Sequence, residues 1–187
     1  MKSEQKITKR NSTSTMVVVA LMAAVLCVLA PFSIPVGPIP ISLATLGLYL
    51  SVIILGRKKA TTVCLMYLLM GFVGLPVFSG FTGGPAKLLG PTGGYLLGYL
   101  LLTMVAGWFV DKFSEKNGLC VLGIWIGTMA CYVVGTVWLA VQMEMTFQAA
   151  LMIGVVPFLI GDVVKIIIAV WFGSAIRRQI HRAGFKM

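Results

Sequence analysis

Six long apolar segments joined by short connections dominate the chain and restrict what it can fold into. Only 11% of the 187 residues are charged, whereas 59% are apolar. A transmembrane helix needs about 20 mostly apolar residues to cross a hydrocarbon core about 30 Å thick. The sequence therefore predicts an all-α integral membrane protein with six transmembrane helices. The segments cover residues 16–30, 43–55, 60–75, 94–110, 119–141 and 157–176, so that a basic tail (1–15) precedes one membrane domain (16–187).

Two connections are rich in Gly and Pro and almost free of charge. They are residues 31–42 (PFSIPVGPIPIS) and 76–93 (PVFSGFTGGPAKLLGPTG). The second apolar segment spans only about 20 Å as a helix, so the connection before it is expected to continue at membrane depth as irregular backbone. A bilayer tolerates such backbone only where protein buries it or where it lines a cavity. We therefore expect both connections to border one cavity.

Lysine and arginine are concentrated on alternate connections. The tail holds four, residues 56–59 three, residues 111–118 two and the end from residue 177 four, whereas the first, third and fifth connections hold none, one and none. Cytoplasmic loops carry an excess of these residues. Both termini are therefore predicted to be cytoplasmic, and the Gly/Pro-rich connections face outward. The net charge of +10 reflects this topology, and no nucleic-acid partner is predicted.

The sixth segment carries two ionisable residues, Asp162 and Lys165, whose spacing places them on one helix face. Each costs about 2.5–3.5 kcal/mol near mid-membrane on insertion scales, and such residues are functional by default. They lie about 7 and 12 Å along the helix from Pro157. We expect both to face a pocket roofed by the Gly/Pro-rich connections. The alternative is an ion pair that only aids packing, although apolar residues would then replace it at lower cost.

Glycines in the third connection and at the start of the fourth segment indicate a second contribution to this pocket. Gly83, Gly84, Gly93 and Gly94 can bring backbone N–H and C=O groups close to a ligand because no side chain intervenes. Tyr95 follows them and offers an aromatic face with a hydroxyl group. A tight turn is the alternative explanation for such a loop.

Motifs for catalysis and cofactor binding are missing from the sequence. It has no GxxxxGK[ST] phosphate loop, no Ser/His/Asp set and no HExxH motif. The four cysteines lie within apolar segments without a CxxC pair. We predict no enzyme activity, no ATPase of its own, no cofactor and no metal site.

The first segment contains a ridge of small residues. Ala20 and Ala24 are four positions apart, a spacing that allows the close approach of another helix in a membrane. We predict that this ridge binds a helix of a partner subunit. Packing within the bundle is the alternative.

Four runs of the sequence resemble BioY, the biotin-specific S component of energy-coupling factor (ECF) transporters. They are PIPISLATLG from Pro38, GLPVFSGFTGG from Gly74, LLGPTGGYLLGY from Leu88 and VVPFLIGDVVK from Val155. The resemblance covers the chain from about Met16, with the runs in the family's order. It implies a six-helix S component that captures biotin outside the cell. It also implies a membrane scaffold subunit and two cytoplasmic ATPase subunits as partners, and Ala20 and Ala24 would then contact the scaffold.

The resemblance further implies that Asp162 and Lys165 contact biotin, with Tyr95 and the third connection completing the pocket. Thr45 and Thr82 are the accompanying polar positions in the matching motifs. The chain departs from the family pattern at Ala44, where many members have Gln, and at Thr82, where some have Asn. Which ligand group each charged residue meets stays open. Two other functions also stay open, a stand-alone vitamin facilitator and a non-transport intramembrane interaction protein or enzyme.

Overall fold

A computed structural model describes residues 2–36, 39–113 and 116–182, with side chains from residue 13 onward apart from that of His181. Pro38, at the start of the first BioY-like run, lies outside these residues. The described residues form helices α1 (Lys2–Leu29), α2 (Ala44–Phe72), α3 (Pro85–Leu89), α4 (Gly93–Lys112), α5 (Asn117–Gln142), α6 (Phe147–Gly154) and α7 (Val156–Arg182), and strands β1 (Ser33–Ile34) and β2 (Ile41–Ser42). The all-α architecture is confirmed, with a short antiparallel β-pair added in the first connection.

The second and third apolar segments form one element, α2, that is broken at Gly56. This residue has φ 73° and ψ −176°, a backbone conformation that favours glycine. The start of the arm 44–55 and the end of the arm 57–72 lie at the same end of the bundle, because both are connected to residues 31–32. The segment 78–80 links the second arm to these residues, since the Phe78 ring lies directly against Gly71. Leu43 N–H donates to the Phe32 carbonyl, and Gly80 N–H donates to the Pro31 carbonyl. The arms are therefore antiparallel, as two successive membrane segments require.

Asp111, near the end of α4, fixes the break in α2. Both of its carboxylate oxygens accept the backbone N–H of Arg57 at 3.2 Å. A carboxylate at a helix N-terminus satisfies an unpaired donor and complements the helix dipole. A Cβ at Gly56 would collide with this carboxylate, so the close approach also requires glycine.

Three helical stretches within the described ranges are long and apolar enough to cross a membrane, Gly93–Lys112, Asn117–Gln142 and Phe147–Ile180, and Thr13–Leu29 is a shorter apolar helix. All six apolar segments are helical over most of their length. That the shorter segments also cross the membrane stays a prediction. The first helix begins at Lys2, so the basic residues of 1–15 belong to the same helix as the first apolar segment. Assignment of residues 1–15 to the cytoplasm also stays a prediction.

Helix α6 lies in the fifth connection and is not one of the six segments predicted from the sequence. Thr146 caps it by accepting the N–H of Ala149 at 3.4 Å. A larger apolar core joins α1, α2, α4, α5 and α7. A smaller one, at the end of the bundle near the first connection, consists of Ile39, Tyr95, Tyr132, Leu139, Ala150 and Phe158. The two cores leave a cavity between them.

Candidate functional site

A narrow cavity of about 40 Å³ lies between the first connection, the start of α2, and helices α4, α5, α6 and α7. Its wall is mostly apolar and aromatic, with a few polar groups, as is typical of small-molecule sites. The lining residues are Ile39, Pro40, Ser42, Thr45, Tyr95, Tyr99, Leu102, Thr128, Cys131, Tyr132, Gly154, Phe158, Asp162 and Lys165. Both ionisable residues of the sixth segment thus face one pocket.

Asp162 and Lys165 form a buried ion pair in the cavity wall. The Lys165 Nζ lies 3.0 Å from Asp162 Oδ1 across one turn of α7. Asp162 is 1% exposed and Lys165 9% exposed. Buried charges are stable only when they are paired and hydrogen-bonded, so their remaining bonds decide what the pair can do.

Every donor of the Lys165 ammonium has a protein acceptor. It donates to the Ser42 carbonyl at 2.9 Å, to Thr45 Oγ1 at 3.0 Å and to Asp162 Oδ1 at 3.0 Å. The first of these bonds joins α7 to β2 of the first connection. An ammonium has three N–H groups, so a ligand acceptor must replace one of these partners.

The Asp162 carboxylate accepts hydrogen bonds from three residues. Besides Lys165, the Thr45 hydroxyl donates to Oδ1 at 3.1 Å, and the Tyr132 hydroxyl donates to Oδ2 at 2.5 Å. Thr45 therefore connects the two charges, since it accepts from the ammonium and donates to the carboxylate. The neighbouring Ala44 is buried and does not line the cavity, so the departure from the family pattern leaves no side-chain amide there.

Tyr95 lines the cavity from α4, as predicted for a pocket residue. Its hydroxyl lies 3.3 Å from Thr136 Oγ1 on α5. Gly154 at the end of α6 leaves room for that hydroxyl, because a Cβ there would collide with it. Tyr95 is therefore held between α5 and α6 with one face toward the cavity.

Tyr132 makes the shortest hydrogen bond to Asp162, but it was not among the site residues predicted from the sequence. A signal was available in the fifth apolar segment, where Thr128, Tyr132 and Thr136 follow each other at intervals of four and so share a helix face. All three are buried in the structure. A buried polar stripe of this kind indicates a helix that faces a polar site rather than lipid.

The third connection contributes no residue to the cavity lining, whereas Tyr95, two residues after its end, does line the cavity. Gly84, with φ 92°, donates its N–H to the Gly71 carbonyl at 2.7 Å, and Gly83 is packed closely against Leu75. Thr82 is exposed, and its hydroxyl donates to the Ser79 carbonyl at 2.9 Å. For these three residues, contact with a ligand stays a prediction.

Gly93 and Gly94 lie in the first turn of α4, close to the cavity but outside its lining. A Cβ on Gly94 would collide with Trp138, so this glycine permits close packing of α4 and α5. A Cβ on Gly93 would collide with the Leu88 carbonyl. The structure therefore gives both glycines a packing role, and their contact with a ligand stays a prediction.

The first connection covers the cavity, with Ile39 and Pro40 in its wall. The third connection lies against the first. Phe81 contacts Phe32 with ring centroids 5.6 Å apart. Both Gly/Pro-rich connections therefore lie at the cavity's end of the bundle, and the first is the one that touches the cavity.

Ala20 and Ala24 are exposed on the outer face of α1, while Met22, Ala23 and Leu26 are buried against the bundle. The ridge of small residues is therefore not packed inside this chain. It leaves a surface on which another helix can approach closely.

Known proteins resemble the chain over nearly its whole length. The BioY family model matches residues 2–182. The biotin transporter BioY2 of Lactococcus lactis subsp. cremoris is 35% identical over 166 residues, which cover 89% of this chain and 91% of that protein. The biotin transporter BioY of Thermotoga maritima is 36% identical over 149 residues, or 80% of this chain and 87% of that one. A crystal structure of the S-component for biotin from an ECF-type ABC transporter matches with a TM-score of 0.83 and 29% identity, covering 95% of both chains.

Proposed function

The chain belongs to the BioY family, and on that premise we propose that it is the biotin-binding S component of an ECF-type transporter. One observation carries the assignment of the site. A buried Asp162–Lys165 pair, bridged by Thr45 and bonded by Tyr132, forms the polar part of an otherwise largely apolar cavity. Biotin is captured in this cavity from outside the cell and delivered with the help of partner subunits.

The chemistry of the cavity suits biotin. Biotin combines a compact polar ureido group, an apolar fused ring and a carboxylate tail. A carboxylate accepts hydrogen bonds from ureido N–H groups, while an ammonium pairs with the ureido oxygen or with the tail. Tyr95, Tyr99 and Phe158 offer aromatic surface to the ring. The site thus supplies one polar network and apolar walls, the combination that fixes orientation in small-molecule pockets.

The partners of the chain follow from its resemblance to the BioY family, which implies a membrane scaffold subunit and two ATPase subunits. The sequence has no phosphate-binding loop of its own, in agreement with ATP hydrolysis by those partner subunits. The exposed Ala20 and Ala24 ridge binds a helix of the membrane scaffold subunit. The distribution of Lys and Arg supports cytoplasmic termini and an outward cavity.

Calorimetry of the detergent-purified chain tests the proposal directly. Biotin is titrated beside thiamine and riboflavin, which differ from it in shape and charge. We expect saturable binding of biotin alone. Failure of biotin to bind, or equal binding of thiamine, would overturn the assignment. Biotin uptake by proteoliposomes that contain this chain alone and no ATP would favour the stand-alone facilitator instead.

A further inference from the structure

A second, more open cleft lies at the end of the bundle opposite the biotin cavity, where the two arms of α2 meet. Arg177 follows Asp162 by fifteen positions along α7, which corresponds to about 22 Å. The charged residues of the cleft are mostly basic, with a single carboxylate among them. They are Arg57, Lys58, Lys59 and Arg177, together with Asp111.

Asp111 offsets only part of this positive charge, because the cleft holds four cations and one carboxylate. Both of its oxygens accept the backbone N–H of Arg57, and it forms no ion pair with any side chain in the cleft. Across the side chains that the structure describes, the only ion pair is the one between Lys165 and Asp162. The Arg177 guanidinium donates through Nη1 to the Ile53 carbonyl at 3.2 Å, which holds it at the cleft. The cleft therefore carries an uncompensated positive charge on a fixed framework.

One wall of the same cleft is apolar. Met104 and Trp108 are one turn apart on α4, and they are 39% and 44% exposed. The Lys112 ammonium lies 5.0 Å from the centre of the Trp108 ring. Tryptophan is enriched where a membrane protein crosses from hydrocarbon to headgroups. The cleft thus joins a cationic end to an apolar wall at the depth of the membrane surface.

We propose that this cleft binds the headgroup of an anionic phospholipid, with the phosphate between the basic side chains and an acyl chain along Met104 and Trp108. Basic pockets between transmembrane helices recognise such headgroups, and arginine and lysine bind phosphate through charge-assisted hydrogen bonds. A free phosphate ion would use the basic residues but gain nothing from the apolar wall. The proposal depends on the membrane location of the chain and not on which vitamin it binds.

Native mass spectrometry of the detergent-purified chain tests the proposal by titration with phosphatidylglycerol, phosphatidylcholine or inorganic phosphate. The cleft variant carries Lys58→Gln and Lys59→Gln. Its matched control carries Lys116→Gln and Arg178→Gln, which remove equal charge from exposed positions outside the cleft. We expect the cleft variant to lose about 30-fold in affinity for phosphatidylglycerol, since each cation contributes about fivefold near an anionic surface. The control should stay within about twofold of the parent, because screened charges outside the contact contribute little.

If the double variant misfolds, the single Lys58→Gln variant replaces it, because Lys58 is exposed. Its affinity for phosphatidylglycerol should fall about fivefold. Equal affinity for phosphatidylglycerol and phosphatidylcholine would overturn the proposal. Binding of inorganic phosphate as tightly as phosphatidylglycerol would also overturn it, because the ligand of the cleft would then be a soluble anion. If the cleft variant keeps lipid binding but no longer co-purifies with its transporter partners, the cleft is a protein interface and the proposal is wrong.

Discussion

At the residue scale, the site depends on a closed set of hydrogen bonds around two opposite charges. Asp162 accepts from Thr45, Tyr132 and Lys165, and Lys165 also donates to the Ser42 carbonyl. No buried side-chain nitrogen or oxygen among the described residues lacks a hydrogen-bond partner. Such a network stabilises both charges, and a ligand atom that contacts either charge must replace one of its present partners.

Removing either charge should weaken biotin binding strongly. Asp162→Asn or Lys165→Met removes a buried charged contact to the ligand, a loss of roughly 2–5 kcal/mol in binding or about 30- to 4,000-fold in the dissociation constant. The charge that remains is unpaired in a dry site, which also lowers the stability of the fold. Calorimetry with biotin measures the loss, and thermal unfolding identifies variants that no longer fold. Folded variants that bind within threefold of the parent would show that the pair serves packing alone.

The Tyr132 hydroxyl should matter more than the Tyr95 hydroxyl. Tyr132→Phe removes a hydrogen bond to a charged carboxylate, worth about 1.5–3 kcal/mol, whereas Tyr95→Phe removes a neutral one worth about 0.5–1.5 kcal/mol. If Asp162 contacts biotin, Tyr132→Phe should raise the dissociation constant by about 10- to 150-fold. Tyr95→Phe is the matched control, because both rings line the cavity. A larger loss of biotin affinity for Tyr95→Phe than for Tyr132→Phe would indicate that the ligand lies closer to α6 than to the Asp162–Lys165 pair.

At the scale of elements, small residues have two different roles on the two faces of α1. Those on the buried face pack within this chain, and those on the exposed face are available to a partner helix. Ala23 is buried against the bundle, while Ala20 and Ala24 point away from it. Lipid gives no hydrophobic advantage to helix association, so close contact of backbones is what small residues provide. The outer face of α1 is therefore the one to test for partner binding.

Enlarging the ridge should block assembly and leave ligand binding intact. Ala20→Leu and Ala24→Leu hold a partner helix away from α1, while the cavity is built from other elements. Pull-down of the scaffold subunit should fall, and calorimetry with biotin should be unchanged. Ala23→Leu is the contrasting variant, because it disturbs the buried face and should lower the thermal unfolding temperature. Lost biotin binding with normal assembly in the Ala20 or Ala24 variants would contradict the assignment.

At the scale of the whole molecule, the cavity around Asp162 and Lys165 and the basic cleft occupy opposite ends of the bundle. The Gly/Pro-rich connections meet at one end, through the contact of Phe32 with Phe81. The reversal of α2 and the cations around it lie at the other. This separation agrees with the proposed orientation, in which the cavity faces outward and the basic cleft lies at the cytoplasmic surface of the membrane.

The orientation itself is testable by cysteine labelling in cells. Lys87→Cys, in the third connection, should react with an impermeant maleimide from outside, because the positive-inside rule places that connection there. Arg178→Cys should react only after permeabilisation. Of the four native cysteines, Cys64, Cys120 and Cys131 are buried and Cys27 is partly buried, so the parent serves as the background control. Labelling of Arg178→Cys in intact cells would invert the proposed topology.

The sequence by itself determined the number of apolar segments, the charged pair on the last of them and the family resemblance. These are local properties, since hydropathy, helical spacing and motif order need no knowledge of distant contacts. It also predicted that Asp162, Lys165, Thr45 and Tyr95 belong to one pocket, and the structure brings all four together. The glycines Gly83, Gly84, Gly93 and Gly94 were expected beside them. None of the four lines the cavity, and Gly83, Gly93 and Gly94 pack closely against neighbouring backbone or side chains, so their contact with a ligand stays a prediction.

Only the tertiary structure decided which parts of distant elements meet. Tyr132 is thirty positions from Asp162 in sequence, and its hydrogen bond exists because α5 packs beside α7. The Ser42 carbonyl reaches Lys165 because the first connection folds over the cavity. Gly56 and Asp111 set the reversal of α2 through a contact between two helices. Hydropathy shows which segments enter the membrane, but the packing between them depends on side-chain shape and on hydrogen bonds that join residues far apart in the chain.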